Sequence, residues 1–213
     1  MKLPKLYFIT LDASPYSHAE QAEGACQGGA KLIQLRTKNK DEETWLRLAL
    51  EVKAVCQKYG AIFIVNDNVE LTKEIKADGL HLGKYDMPIP EARQILGKNY
   101  IIGGSTNTFE DILRVAEWKA DYMGSGPYKF TTTKVKEELN PLLGIKGYQE
   151  NLLRYKESNI SIPIYAIGGI KQRDIPVVMQ LEGVYGVAIS SLIANAKNKP
   201  EVTQELLQII ESC

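Results

Sequence analysis

Short apolar, β-branched runs recur along the chain at residues 6–9, 31–35, 61–65, 79–82, 100–102, 121–123, 162–167 and 183–189. The segments between them carry helical period. The clearest is 42–58, with Trp45, Leu48, Ala49, Val52, Val55 and Cys56 on one stripe, Asp41 placed to cap its start and Gly60 beyond its end. Similar patterns predict helices at 19–27, 69–75, 90–96, 108–118, 147–155, 175–180 and 202–210. Strand and helix therefore alternate eight times with short connections, which implies a parallel sheet, and eight such units imply closure. The predicted fold is α/β, a (β/α)8 TIM barrel forming a single domain over residues 1–213. An open doubly wound sheet is the alternative, disfavoured because no G-x-G-x-x-G follows the first strand.

A barrel makes a demand on polar placement, since its active sites form where strands end and the next loops begin. Thr10 follows the first run, Gln34 and Arg36 stand at the second, and Asn66 and Asp67 at the third. His81 closes the fourth and Ser105 the fifth. The glycine- and threonine-rich loop 124–134 follows the sixth, Gly168 and Gly169 the seventh, and Ser190 and Ser191 the eighth. Barrel closure would bring these distant positions to one rim.

Composition narrows the partners. The 26 Lys+Arg balance 26 Asp+Glu, which gives no reason to expect nucleic acid or an anionic membrane as partner, so any cation that matters acts locally. The first ten residues hold too short an apolar run for a secretory signal, and the other apolar runs are far shorter than a membrane span. A cytoplasmic, soluble protein is expected. Cys26, Cys56 and Cys213 are odd in number and lack metal-ligand spacing, which argues against a disulfide framework or a zinc site. Cys26 and Cys56 read as small core residues, His81 as a hydrogen-bonded core histidine and His18 as a surface residue.

The loop 124–134 concentrates what gripping phosphate requires: glycines that let backbone N–H groups approach, the hydroxyls of Thr131, Thr132 and Thr133, and the ammonium of Lys134. Gly168 and Gly169, with Ser190 and Ser191, occupy the place where barrels bind a phosphate after strands seven and eight. A second anion site can be assembled from Arg36, Lys38, Asn66 and Lys134, whose three cations suit more than a monophosphate. Gln34, Arg36 and Lys38 share parity on an extended segment, while Leu35 packs the other way. Asp67 and Asp86 would repel a diphosphate unless a cation lay between, and two carboxylates suit Mg2+. Both aspartates fit equally as helix caps.

In order along the chain, Gln34-Leu35-Arg36-Thr37-Lys38, Asn66-Asp67, Asp78-Gly79-Leu80-His81-Leu82-Gly83, Asp86, Gly104-Ser105, Gly126-Pro127 with Thr131-Thr132-Thr133-Lys134, and Ile167-Gly168-Gly169-Ile170 resemble the thiamine-phosphate synthase family over nearly the whole length. The resemblance implies a transferase that joins 4-amino-2-methyl-5-hydroxymethylpyrimidine diphosphate to a thiazole phosphate, giving thiamine phosphate and pyrophosphate. By similarity, residues Gln34, Leu35, Arg36, Thr37, Lys38, Asn66, Ser105 and Lys134 would hold the pyrimidine diphosphate, with Arg36, Lys38 and Lys134 as the catalytic cations. Asp67 and Asp86 would hold Mg2+, and Thr131, Thr132, Thr133, Gly169, Ser190 and Ser191 the thiazole phosphate. The implied partners are small phosphorylated molecules, with no nucleic acid and no membrane. Oligomeric state is left open, a homo-oligomer included. The chain departs from the commoner pattern at Lys129, Phe130, Asn107 and Ser190. A thiazole tautomerase of the same fold, with a histidine in place of Asn107, and a non-catalytic phosphate sensor are the rival readings.

Overall fold

The parity of each strand decides which side chains enter the barrel and which meet the helices. The computed structural model describes residues 2–130 and 142–213. In chain order its elements are β1 (Leu6–Ile9), α1 (His18–Gln27), β2 (Leu32–Leu35), α2 (Glu42–Tyr59), β3 (Ile62–Asn66), α3 (Val69–Glu74), β4 (Gly79–Leu82), α4 (Ile89–Leu96), β5 (Ile101–Thr106), α5 (Phe109–Glu117), β6 (Tyr122–Ser125), α6 (Gly144–Glu157), β7 (Ile164–Ile167), a 3-10 turn at Gln172–Asp174, α7 (Ile175–Met179), β8 (Val184–Ile189), α8 (Ser191–Ala194) and α9 (Lys199–Glu211). Every strand runs parallel to the next and β1 pairs with β8, so the eight strands close the expected (β/α)8 barrel.

Two apolar layers follow from that parity. Tyr7, Leu32, Ile64, Tyr122, Tyr165 and Ala188 point inward and pack together, whereas Phe8, Ile33, Phe63, Val65, Leu80 and Val187 point outward beneath the helices. The interior is unusually rich in tyrosine. Tyr7, Tyr122 and Tyr165 meet edge to face, with centroids 5.4 to 5.7 Å apart. Gly103, paired with Tyr122 across β5 and β6, leaves the space that the Tyr122 ring fills.

The helices are fixed at their ends as well as by their stripes. In α2 the buried residues are Leu48, Ala49, Val52 and Cys56, Asp41 caps the start by accepting from the Thr44 N–H, and Gly60 ends it at φ 58°. Ser17 with Glu20, and Thr108 with Asp111, form reciprocal capping boxes on α1 and α5. Loss of one such cap costs about 1 kcal/mol. β5 runs on to Thr106, past the apolar run at 100–102, because Gly103, Gly104 and Ser105 carry strand geometry without an apolar signal. The short α8 shows no period at all, its span being a single turn. Among the described residues, no helix is long and apolar enough to cross a membrane.

Candidate active site

Inward parity places a polar group wherever the apolar floor stops. Gln34, Asn66, His81 and Ser105 follow inward Leu32, Ile64, Gly79 and Gly103 on β2 to β5, one turn of the pleat higher. Gln34 and His81, and Ser105 through His81, are tied to the tyrosine layer below. Gln34 Nε2 donates to the Tyr7 hydroxyl, and the Tyr7 and Tyr122 hydroxyls are 2.8 Å apart. His81 Nδ1 lies 3.1 Å from the Tyr122 hydroxyl and Nε2 2.9 Å from Ser105 Oγ. A hydrogen-bonded polar floor results.

Above this floor opens a cavity of about 800 Å3, within the size range of small-molecule sites. Gln34, Arg36, Lys38, Asn66, Asp67, Asp86 and Ser105 line one part of it, and Gly169, Ser190 and Ser191 another. Two residues of the 34–38 segment do not: Leu35 is wholly buried in the outer apolar layer, and the buried Thr37 gives its hydroxyl to Asp12 at 2.7 Å. Thr131, Thr132, Thr133 and Lys134 lie outside the described residues. The stem that leads to them is described, and Pro127 and Phe130 line the cavity.

Neither aspartate serves as the cap for which its position also suited it. Asn68 caps α3 by accepting from the Leu71 N–H, while Asp67 takes a left-handed φ of 61° and donates its N–H to the His81 carbonyl. Such a φ is uncommon outside glycine. Asp86 accepts from the Gly83 N–H at 2.6 Å, and α4 begins after Pro88 without a side-chain cap. Freed from capping, the two carboxyls meet. Burial, and then the hydrogen bond and charge of Asp86, push the Asp67 carboxyl up to about 7, with Lys38 opposing the rise. Burial works the same way on Asp86, but the bonds from Asp67 and the Gly83 N–H outweigh it and hold that carboxyl low. Lys38 Nζ stands 3.4 Å from Asp67 Oδ2. Among the described residues no group of three or more His, Cys, Asp or Glu side chains is gathered for a metal, so the oxygen pair is the donor set on offer.

The other end is built differently. Gly168 and Gly169 have φ of 94° and 66°, and a Cβ at residue 169 would lie 2.6 Å from the Phe130 carbonyl oxygen. Ser190 Oγ is buried without a hydrogen-bond partner among the described residues, beside the cavity its residue lines. Lys171, Gln172 and Arg173 also line this end, and sequence reasoning passed over them although they directly follow the Gly168-Gly169-Ile170 turn. Lys129 reaches Asp174 at 2.7 Å and donates its backbone N–H to the Gly168 carbonyl, tying the stem of the β6 loop to the segment after β7.

Three other sequence expectations resolve clearly. Cys26 and Cys56 are buried core residues. Asn107 is buried, with Nδ2 donating to the Gly126 carbonyl at 2.8 Å, and it does not line the cavity. His18 is not a surface residue: it is 6% exposed, and both ring nitrogens are engaged, by Thr10 and Asp12. The amphipathic pattern of α1 is weak, which concealed its burial.

The sequence model of thiamine monophosphate synthase matches residues 6–193. A thiamine-phosphate synthase of Phocaeicola vulgatus is 46% identical over 208 residues, covering 98% of this chain and 99% of the relative. One from Bacteroides fragilis is 48% identical over 204 residues, covering 96% of this chain and 98% of the relative. Among solved structures, the thiamine phosphate pyrophosphorylase of Pyrococcus furiosus superimposes with a TM-score of 0.84 at 32% identity, covering 98% of this chain and 96% of that one. With its fold, its rim of polar strand ends and these likenesses in agreement, the chain belongs to the thiamine monophosphate synthase family.

Proposed function

We propose that the chain condenses 4-amino-2-methyl-5-hydroxymethylpyrimidine diphosphate with a thiazole phosphate, forming thiamine phosphate and releasing pyrophosphate. The carrying observation is that a member of this family has one cavity with two chemically distinct ends, one of cations and carboxylates and one of glycines and serines. The first suits the diphosphate. Arg36, Lys38 and Asn66, with Lys134, would bind its oxygens, and Gln34 and Ser105 would orient the pyrimidine above the tyrosine floor. Gly169, Ser190 and Ser191, with Thr131, Thr132 and Thr133, would take the thiazole phosphate.

Asp67 and Asp86 fit a hard divalent cation. Two partly buried carboxyls, close enough that Asp86 raises the titration of Asp67, are the oxygen donor chemistry Mg2+ prefers. Bound there, Mg2+ would supply charge neutralisation for the diphosphate. The chain's own residues do the rest by position. Arg36, Lys38 and Lys134 stabilise the charge that gathers on departing pyrophosphate, and the floor holds the pyrimidine facing the thiazole nitrogen. No protein nucleophile is needed: pyrophosphate leaves first, and the thiazole captures the pyrimidine cation. Loss of one charge-stabilising contact would raise the barrier by about 3 to 4 kcal/mol.

A tautomerase reading is opposed by Asn107, whose side chain is spent on the Gly126 carbonyl and offers no proton-transferring group. Incubation with both substrates and Mg2+, following thiamine phosphate and pyrophosphate together, tests the proposal. Equal formation of both supports a synthase, interconversion of thiazole tautomers alone supports the tautomerase, and binding without any product supports a sensor.

A further inference from the structure

The segment that carries Arg36 and Lys38 is held from behind by a closed set of hydrogen bonds centred on His18. His18 Nε2 lies 3.2 Å from Asp12 Oδ1, and Nδ1 lies 2.7 Å from Thr10 Oγ1. Thr10 Oγ1 in turn accepts the Arg36 N–H at 3.1 Å. On the other side, Asp12 Oδ1 accepts from the Thr37 hydroxyl at 2.7 Å and Oδ2 from the Lys38 N–H at 3.0 Å. Every residue of the 36–38 segment is thus fastened to the stretch after β1. Thr10, His18 and Thr37 are buried, so the His18–Thr10 bond is shielded from water, while Asp12 and its bond from the Lys38 N–H lie nearer the surface.

Chemistry fixes the direction of each bond. An ionised Asp12 can only accept, so His18 Nε2 carries the proton it donates there. Nδ1 of a neutral ring then accepts, and the Thr10 hydroxyl must be its donor. That leaves the Thr10 oxygen lone pairs for the Arg36 N–H. A doubly protonated ring would turn the Thr10 hydroxyl away from its acceptor inside a buried site, at a cost. Burial accordingly holds the His18 imidazole below its ordinary value, although Asp12 pulls the other way; Lys40 and Glu51 are the remaining charged groups that act on it.

We propose that His18 is a positioning residue, which clamps the Arg36–Lys38 segment through Thr10 and Asp12 so that both cations are preset to receive a diphosphate. The inference rests on reading that segment as the diphosphate site. His18 touches no substrate itself. Its effect is selective, because the opposite end of the cavity, at Gly169 and Ser190, makes none of these bonds.

The test compares wild type with His18→Ala, His18→Gln and Thr10→Val. Inorganic pyrophosphate binding is measured by calorimetry, the two substrates' KM values by turnover, and folding by thermal melting. Glutamine offers an oxygen for Thr10 and an N–H for Asp12, whereas valine keeps the volume of threonine and releases both of its bonds. The clamp predicts that His18→Ala and Thr10→Val weaken pyrophosphate binding about 10-fold or more, and raise the KM of the pyrimidine diphosphate alike, while the KM of the thiazole phosphate stays within about twofold. His18→Gln should recover most of the loss. Should His18→Ala fail to fold, Thr10→Val and His18→Gln carry the comparison. Pyrophosphate affinity unchanged in folded Thr10→Val, or both KM values rising together, would overturn the clamp, as would a wild type that binds no pyrophosphate. A wild type that binds pyrophosphate without making thiamine phosphate would instead overturn the proposed function, and the variants' pyrophosphate affinities would still decide the clamp.

Discussion

The ring of Tyr122 occupies the space that a side chain at Gly103 would need: a Cβ built there would meet Cζ, Cε1 and Cε2 of the ring. The same ring carries the hydroxyl that contacts both Tyr7 and His81. Gly103→Ala should therefore destabilise the fold by about 3 kcal/mol through overpacking. It should also reduce turnover beyond what unfolding accounts for, because the polar floor moves with the ring. Urea unfolding alongside activity at a temperature well below the melting transition checks both; a stability change below about 0.5 kcal/mol would show that the ring relocates freely.

The carboxyl pair makes a prediction about metal. Asp86→Asn leaves Asp67 without its acidic partner and should lower kcat/KM about 100-fold at fixed Mg2+, with part of the loss recovered at high Mg2+. Exhaustive chelation of the wild type should stop turnover, and full activity under chelation would remove the metal role. The melting temperature of Asp86→Asn in chelator should stay near that of wild type or rise, since two crowded carboxyls become one.

At the other end, Ser190 Oγ and the cations of the Lys171–Arg173 stretch separate ligand binding from stability. Ser190→Ala removes no hydrogen bond that the described residues make, so its melting temperature should match or exceed that of wild type while the KM of the thiazole phosphate increases. Arg173→Gln should raise the same KM, with a dependence on ionic strength that the variant loses. An unchanged KM in both variants would move the phosphate elsewhere in the cavity.

Acid stability should depend on Asp111. Burial alone would raise this carboxyl, but the N–H groups of Thr108 and Asn107, with Lys84 and Arg114, outweigh it and hold the carboxyl below the ordinary value. A group depressed on folding stabilises above its unfolded value of about 3.9, and that stabilisation is lost as pH falls through the folded value. Asp111→Asn should cost about 2 kcal/mol at pH 7. The gap between variant and wild type should shrink below about pH 4, as read from melting curves across pH. A constant gap would assign the cost to packing.

Period was enough to read the barrel, because the alternation of strand and helix is written in local hydrophobic spacing and needs no distant contact. It also exposed the parity of Gln34, Arg36 and Lys38 opposite Leu35, since a side chain's face on a strand is fixed by its own position. Capping was less legible. Asp67 and Asn68 are adjacent and chemically suited to the same task, and only the left-handed turn at Asp67 hands the cap to Asn68 and turns Asp67 toward Asp86.

The sequence by itself thus determined the eight-unit fold, the polar rim and the family. Only closure of the barrel brought Asp67 beside Asp86, carried Lys171 and Arg173 to the cavity, and buried His18 against Thr10 and Asp12 behind the cationic segment. The reason is physical. Periodicity reports how each residue relates to its own element, whereas pKa, burial and hydrogen-bond partnership depend on which elements closure brings within a few ångströms.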